Sequence, residues 1–168
     1  SGSNTDWIIG DVPWHEAVIP IVVIPNFELS TAEARKVLPQ SYSRADAIFN
    51  TSHLGLLLRG LATGRGDWLK AALVDRIHQP YRQTLIPGYE AVAAAAIQAG
   101  AHGVVISGAG PTLLALANQE RADAIADAMA ATWAESGVEA RAMALSIDFR
   151  GAVGAIDKEV HSSLNPKS

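Results

Sequence analysis

The chain has 168 residues, a formal net charge of −4 and no cysteine. The absence of cysteine excludes disulfides, thiolate metal sites and a cysteine nucleophile. The acidic balance argues against nucleic acid or an anionic membrane surface as a partner. Hydrophobic residues make up 49% and charged residues 18%, which is ample apolar material for one folded core.

Neither a membrane anchor nor a zinc site is predicted. No apolar run approaches the roughly 20 residues that a membrane span needs, and the N-terminus lacks the regions of a signal peptide. The five histidines lack the i, i+4 spacing of a metal site. We therefore expect a cytoplasmic protein with a leader and linker over 1–16, one domain over 17–154 and a frayed tail over 155–168.

The first predicted strand is Ala17–Pro25, a β-branched run bounded by proline. Pro20 favours an edge position for this strand, or a bulge near its start, because proline cannot donate to a sheet ladder. Ser30 and Glu33 then form a capping-box pair, in which each side chain bonds the backbone of the other. The pair predicts a short helix that ends before Pro39.

The longest predicted helix runs from Ser43 to about Ala62. Its apolar residues cover more than one stripe, so we expect it to be buried on most sides. Gly64 is its predicted left-handed cap. Asp67 is predicted to cap a second helix that reaches about Asp75, and the two prolines within 77–87 predict an irregular segment.

The second half of the chain predicts a hairpin between two helices. Tyr89–Ala99 and Ala122–Trp133 show helical patterns, the second with a clean apolar stripe at Ile125, Met129 and Trp133. The remaining strands are predicted at 104–106, 113–117 and 138–147. The sequence thus predicts an α+β fold, a four-stranded antiparallel sheet with helices on one face, as in a ferredoxin-like plait.

A glycine-rich loop, Ser107–Thr112, separates two of these strands. Glycines at 108 and 110 let backbone N–H groups approach a ligand, because no Cβ blocks the way, and successive free N–H groups can bind an anion. The loop lacks the Gly-Lys-Ser/Thr of a Walker A motif and the third glycine of a dinucleotide fingerprint. The alternative is a hairpin turn that needs positive φ at Gly108 or Gly110.

Four sequence blocks resemble the GHMP small-molecule kinases. ISGAGPTLLAL, at 106–116, is similar to the third conserved motif of that family. VVIPNFELSTAEARKVLP, DAIFN and DRIHQPYRQTLIPGYE resemble its bacterial homoserine kinase branch, in the same order and with similar spacing. The resemblance covers about 18–147 and implies the fold of a GHMP kinase C-terminal domain. The activity implied is transfer of the ATP γ-phosphoryl group to the L-homoserine hydroxyl, in threonine biosynthesis, with ATP and Mg²⁺ in the complete enzyme.

One family motif does not occur in these 168 residues. GHMP kinases carry an N-terminal half with a Pro-x-x-x-Gly-Leu-Gly-Ser-Ser phosphate loop that opens a helix, and nothing like it occurs here. The chain therefore resembles the C-terminal, substrate-side half, and we expect no catalytic residue in it, no cofactor bound to it alone and no kinase activity in isolation. The expected partners are L-homoserine, the missing N-terminal half and a second copy of the chain in a homodimer.

The resemblance also implies site residues. Arg82 is expected to grip the substrate α-carboxylate, which a guanidinium fork suits bidentately; the alternative is a surface arginine that bonds nearby backbone. Asn50 lies in a matching block and is expected to face the substrate pocket, against the alternative of an amide that bonds a loop. His78 and Gln79 are expected to line the same pocket because they lie beside Arg82, against the alternative of a packed or solvated histidine. The expected substrate and phosphate loop consists of Ser107, Gly108, Ala109 and Gly110.

The sequence is also compatible with two other functions. The chain could be a stand-alone α+β plait that binds a small molecule or forms a dimer, since plaits pair through strands and helices. It could also belong to a GHMP kinase for mevalonate or a sugar, although the HQPYR block argues against that branch.

Overall fold

The computed structural model describes residues 10–149. Its four strands form one antiparallel sheet in the order β2-β3-β1-β4, which is the order of a ferredoxin-like plait and confirms the predicted fold class. The strands are β1 Ile19–Pro25, β2 Gly103–Ile106, β3 Leu113–Ala117 and β4 Ala140–Ala144. The helices are α1 Thr31–Lys36, α2 Arg44–Thr63, α3 Gly66–Ala72, α4 Gln79–Arg82, α5 Tyr89–Ala99 and α6 Ala122–Glu135, with 3₁₀ turns at Gln83–Leu85 and Gln119–Arg121.

The segment just before β1 already contacts the folded domain. The Trp14 indole N–H donates to the Val18 carbonyl at 2.7 Å, and the His15 N–H donates to the Leu61 carbonyl at 2.7 Å. Residues 1–9 of the predicted leader and all of the predicted tail at 155–168 lie outside the described residues, so the domain boundaries stay predictions.

The main core lies between one sheet face and helices α5 and α6. Alternation along the strands directs Ile21 and Val23 of β1 to this face, together with Leu113, Ala115 and Ala117 of β3. From α6 the predicted stripe is confirmed, since Ile125, Met129 and Trp133 are each 0% exposed. Burial of this set is the largest source of stability that the fold offers.

A second cluster ties α2 and α3 to the end of the opposite sheet face, so the helices are not confined to the one face that the sequence predicted. It consists of Val18, Leu61, Leu69 and Leu116. Leu116 lies between two β3 residues that face the main core, so its side chain points to the other side of the sheet. Within α2 only Gly60 and Leu61 are buried. The prediction that this helix is buried on most sides is therefore wrong for the described residues. Among them, neighbouring elements bury only the C-terminal end of α2.

β1 is an inner strand, so the edge position favoured by Pro20 is wrong. Pro20 lies opposite Leu145, the residue that follows β4, and its carbonyl accepts the Leu145 N–H at 2.8 Å. Proline cannot return the second bond of such a pair. The ladder between β1 and β4 accordingly stops at Ala144.

Two local predictions between α2 and α5 differ from the structure. α3 begins at Gly66 after the N-cap Arg65, and Asp67 lies in its first turn rather than at its cap. The segment predicted to be irregular contains the helical turn α4. This turn tolerates Pro80 because the proline occupies its second position. The N–H groups of a first helical turn have no intrahelical acceptor, so proline costs nothing there. Among the helices in residues 10–149, none combines the length and apolar character needed to cross a bilayer.

Candidate functional site

The glycine loop between β2 and β3 is a closed turn. Gly108 and Gly110 have φ values of 60° and 89°, so both positions use the left-handed region that favours glycine. The Ser107 N–H donates to the Thr112 carbonyl at 2.9 Å, and the Gly110 N–H donates to the Ser107 carbonyl at 3.0 Å. The requirement for positive φ, predicted for either glycine, holds at both.

The two glycines face different surroundings. A Cβ at Gly110 would lie 3.1 Å from side-chain atoms of Ile106 and of Ile86, whereas a Cβ at Gly108 would meet no atom within 4 Å. Gly108 is exposed, and within residues 10–149 no acceptor is found for the N–H groups of Gly108 and Ala109. The loop is thus packed on its Gly110 side and open to a ligand on its Gly108 side.

Arg82 reaches this loop from α4. Its Nη1 donates to the Gly108 carbonyl at 2.8 Å, and its Nε donates to the Ala34 carbonyl of α1 at 3.3 Å. Carbonyls in the last turn of a helix have no partner inside the helix, and Arg82 satisfies this one. A guanidinium has five N–H donors, so the described contacts leave several of them available to an anion beside the open glycine.

Asp75 anchors the turn that leads into α4. Its carboxylate accepts the backbone N–H groups of Ile77, His78 and Gln79 at 2.9, 2.7 and 2.6 Å. It also accepts a hydrogen bond from the Asn50 side-chain amide. Partial burial acts to raise the pKa of Asp75, but the bonds from Asn50 and from these N–H groups together hold that pKa below its usual value.

The predicted substrate residue Asn50 has both ends of its amide occupied. Besides its bond to Asp75, its Oδ1 accepts the Arg76 N–H at 2.9 Å. This arrangement supports the alternative of an amide that bonds a loop. The His78 side chain is 51% exposed, and its Nδ1 lies 4.0 Å from Asp75 Oδ1, so it lies on the solvent side of the same turn.

Gln79 connects α4 to the sheet directly before the glycine loop. Its Oε1 accepts the Ile106 N–H at 3.0 Å and the Tyr89 hydroxyl at 3.3 Å. Burial of Tyr89, with the Asp75 charge nearby, raises the pKa of that hydroxyl and keeps it a donor. The sequence did not predict that Asp75 holds the turn before α4 or that Gln79 joins α4 to β2. The role of Asp75 could have been predicted from a local signal, an aspartate shortly before a proline-containing helical turn.

A groove of about 630 Å³ lies next to the glycine loop but not at Arg82. Its walls are the end of β1, residues 26–30 and Glu33, together with Pro111 and Thr112. Its ionisable side chains are the acids Glu28 and Glu33, and no base of the described residues lines it. Such a wall does not suit an anionic ligand. We therefore assign the candidate site to the Arg82–Gly108 contact, which does not line the groove.

The chain is similar to known kinase domains. The family model for the C-terminal domain of GHMP kinases matches residues 57–135. The homoserine kinase of Trichormus variabilis is 64% identical over 146 residues, which are 87% of this chain and 48% of that enzyme. The homoserine kinase of Nostoc punctiforme is 65% identical over 150 residues, 89% of this chain and 49% of that enzyme. The chain thus spans about half the length of the curated relatives it matches.

Solved structures share the fold. A homoserine kinase from Cytophaga hutchinsonii superposes with a TM-score of 0.79 at 29% identity, over 82% of this chain and 44% of that one. The L. major mevalonate kinase, solved with R-mevalonate, superposes with a TM-score of 0.57 at 17% identity, over 80% of this chain and 45% of that one. At that lower identity the likeness concerns the fold alone.

Proposed function

We propose that the chain, which is similar to the C-terminal domain of GHMP kinases, is the substrate-side half of a cytoplasmic, ATP-dependent homoserine kinase. The observation that carries the proposal is the 2.8 Å contact between Arg82 Nη1 and the Gly108 carbonyl. This contact joins the Arg82 block and the glycine loop, the two sequence blocks for which the family resemblance implies substrate binding. The identity of 64–65% to homoserine kinases supports the choice of branch.

In this proposal the free donors of Arg82 hold the α-carboxylate of L-homoserine. A planar guanidinium pairs with a carboxylate through two parallel hydrogen bonds, which fixes the orientation of the amino acid as well as its charge. The N–H groups of Gly108 and Ala109, for which no acceptor is found within residues 10–149, would line the approach to the side-chain hydroxyl. The role of this half is to orient the acceptor, which is a large part of the catalysis of phosphoryl transfer.

The glycine loop does not fit the phosphates of ATP in the way that a helix-based phosphate loop does. Within 10–149 no three His, Asp or Glu side chains group to hold a metal ion. The glycine loop leads into strand β3, and the anion site of a phosphate loop requires the N-terminus of a helix. We therefore propose that a second half supplies the nucleotide site.

An exposed apolar surface on α2 supports this partner. Ile48, Leu54 and Leu58, which we call the α2 apolar face, are 58%, 56% and 40% exposed. Leu54 and Leu58 lie four residues apart and are therefore neighbours on the helix surface, and grouped exposed apolar side chains are typical of an interaction site. Because the relatives have about as much sequence again beyond the part matched here, we propose that this surface packs on the nucleotide-binding half.

The test is a chimera in which the unmatched half of the Nostoc punctiforme enzyme is joined to this chain. We expect the chimera to phosphorylate L-homoserine with ATP, while the 168-residue chain alone transfers no phosphate. Arg82→Ala in the chimera should raise the KM for homoserine and leave the KM for ATP unchanged.

Three outcomes would contradict the proposal. Phosphorylation of homoserine by the chain alone would contradict the division of labour. A chimera that is active on mevalonate or a sugar and inactive on homoserine would identify another branch of the family. Tight binding of an unrelated amino acid by the chain alone, measured by calorimetry, would favour a stand-alone sensor.

A further inference from the structure

We propose that Asp75, held in place by Asn50, is a positioning residue that sets Arg82 against the glycine loop. The consequence for substrate binding rests on the proposed function, whereas the geometric claim concerns this chain alone. Asp75 and Arg82 do not contact each other in the structure. The link between them is the backbone of 77–82.

The first step is the attachment of Asp75 to the turn. Its two oxygens accept three successive backbone N–H groups, at Ile77, His78 and Gln79. Bonds to an ionised carboxylate are shorter and stronger than neutral ones. The carboxylate therefore fixes the direction in which the chain enters α4.

The second step is the attachment of this turn to α2. Asn50 donates to Asp75 and accepts from the Arg76 N–H, so a single amide holds the turn at two points. The Arg76 guanidinium lies over the Phe49 ring at 3.7 Å from its centroid, and its Nη1 lies 3.8 Å from Asp46. The turn is thus fastened to a 20-residue helix.

The third step concerns α4, which is not stable without contacts to the rest of the chain. A helix of four residues is far too short to be stable alone. Its conformation is set by Asp75 at its start and by the Gln79 side chain on β2. The Arg82 N–H donates to the His78 carbonyl at 3.0 Å, so the backbone of Arg82 follows wherever the Asp75 turn places His78.

A direct contact of Asp75 with substrate does not fit. Its side chain is only 17% exposed, and its oxygens are engaged by four hydrogen-bond donors. A carboxylate would also repel the α-carboxylate that Arg82 is proposed to bind. Its effect on binding therefore passes through the position of Arg82.

The geometric test uses the 168-residue chain with Asp75→Asn. The matched control is Asp67→Asn, which makes the same change at an exposed carboxylate in the first turn of α3. In the wild type and in Asp67→Asn, we expect the chemical shift of the Arg82 Nε–H to differ from that of a solvated arginine. In Asp75→Asn, we expect it to move to the position of a solvated arginine. An Arg82 resonance that stays in place in folded Asp75→Asn would overturn the proposal.

A second variant keeps this test decisive if Asp75→Asn does not fold. Asn50→Ala removes the side chain that holds Asp75 and leaves the carboxylate in place. The same movement of the Arg82 resonance is then expected, and its absence in this folded variant counts against the proposal.

The kinetic test uses the active chimera. We expect Asp75→Asn to raise the KM for homoserine about tenfold, as misplacement of a binding group does, with little change in kcat or in the KM for ATP. In an Arg82→Ala background the same substitution should raise that KM less than about twofold, because residues that act through one contact are not additive. An equal increase in the KM for homoserine in both backgrounds would refute the coupling.

A chimera with no activity on homoserine would refute the proposed function. The NMR result on the 168-residue chain would still decide whether Asp75 positions Arg82.

Discussion

At the scale of single residues, Gly108 and Gly110 separate the cost of backbone strain from the cost of close packing. Both have positive φ, so alanine at either position should cost about 1–2 kcal/mol of folding free energy from strain alone. Only at Gly110 would a new Cβ lie 3.1 Å from Ile106 and Ile86. We predict that Gly110→Ala destabilises the chain clearly more than Gly108→Ala, measured by urea unfolding. Equal losses would show that the apolar side chains move aside freely.

Asp75 should make stability depend on pH in the acid range. Its pKa is lower in the folded chain than its ordinary value, so its contribution is fully present above the unfolded pKa, which is about 3.9. The contribution is lost as the pH falls through the lower folded-state pKa. We predict that Asp75→Asn costs about 2 kcal/mol near pH 7 and that the gap to wild type narrows steadily below about pH 4. Urea unfolding of both proteins from pH 7 to pH 3 measures the gap, and a constant gap would contradict the assignment.

The sequence predicted which residues belong to the Arg82 site better than it predicted the hydrogen bonds between them. Arg82 and the glycine loop were identified separately, and the structure brings them together. The use of Asn50 by Asp75 was not predicted, because the two residues are 25 positions apart and no local pattern carries such a contact. The site roles of Arg82, Asn50 and His78 stay predictions.

At the scale of elements, two glycines in α2 offer a matched pair. A Cβ at Gly55 would meet no atom within 4 Å, whereas one at Gly60 would lie 2.9 Å from a Leu69 side-chain atom and 3.3 Å from the Leu69 backbone nitrogen. Gly55→Ala should stabilise the chain by about 0.5–1 kcal/mol, the difference in helix propensity. Gly60→Ala should lose that gain and destabilise the chain, because α3 must move away from α2. Chemical denaturation of the two variants tests this, and stabilisation by Gly60→Ala would contradict the close packing of the two helices.

Local signals predicted some helix boundaries. Ser30 caps α1 in the predicted capping box, and Gly64 ends α2 with a φ of 69°, whereas the cap predicted at Asp67 lies at Arg65. Two other errors lie where tertiary context decides. Pro20 was expected at an edge or a bulge, although its inner strand tolerates it at the end of the β4 ladder, and α2 was expected to be buried by neighbours that the described residues do not supply.

At the scale of the whole molecule, the α2 apolar face is the surface that we propose to pack on a second half. We predict that Leu54→Lys with Leu58→Lys changes the stability of the isolated chain little, because both side chains are about half exposed and the lysine stem can cover the same surface while its charge stays in water. The same pair should weaken binding to the proposed nucleotide-binding half, produced separately, by about tenfold or more, since burial of the exposed half of each leucine is worth about 1 kcal/mol. Calorimetry measures the affinity.

The control for this surface is Ile97→Lys. Ile97 is similarly exposed, at 44%, but it lies on α5, which covers the other face of the sheet. Binding should survive this change. Equal weakening by the α2 and α5 variants would show that the loss reflects added charge and not a specific surface.

The burial of Trp133 gives the main core an optical signal of its own. The indole is 0% exposed, its N–H donates to the Pro87 carbonyl at 2.8 Å, and Phe27 meets it edge-on at 6.5 Å between ring centroids. Trp14, half-buried, packs instead against the second cluster. Entry of water around an indole shifts its fluorescence to longer wavelength, so single-tryptophan versions of the chain would distinguish opening of the α5–α6 layer from loosening of the α2–α3 pair.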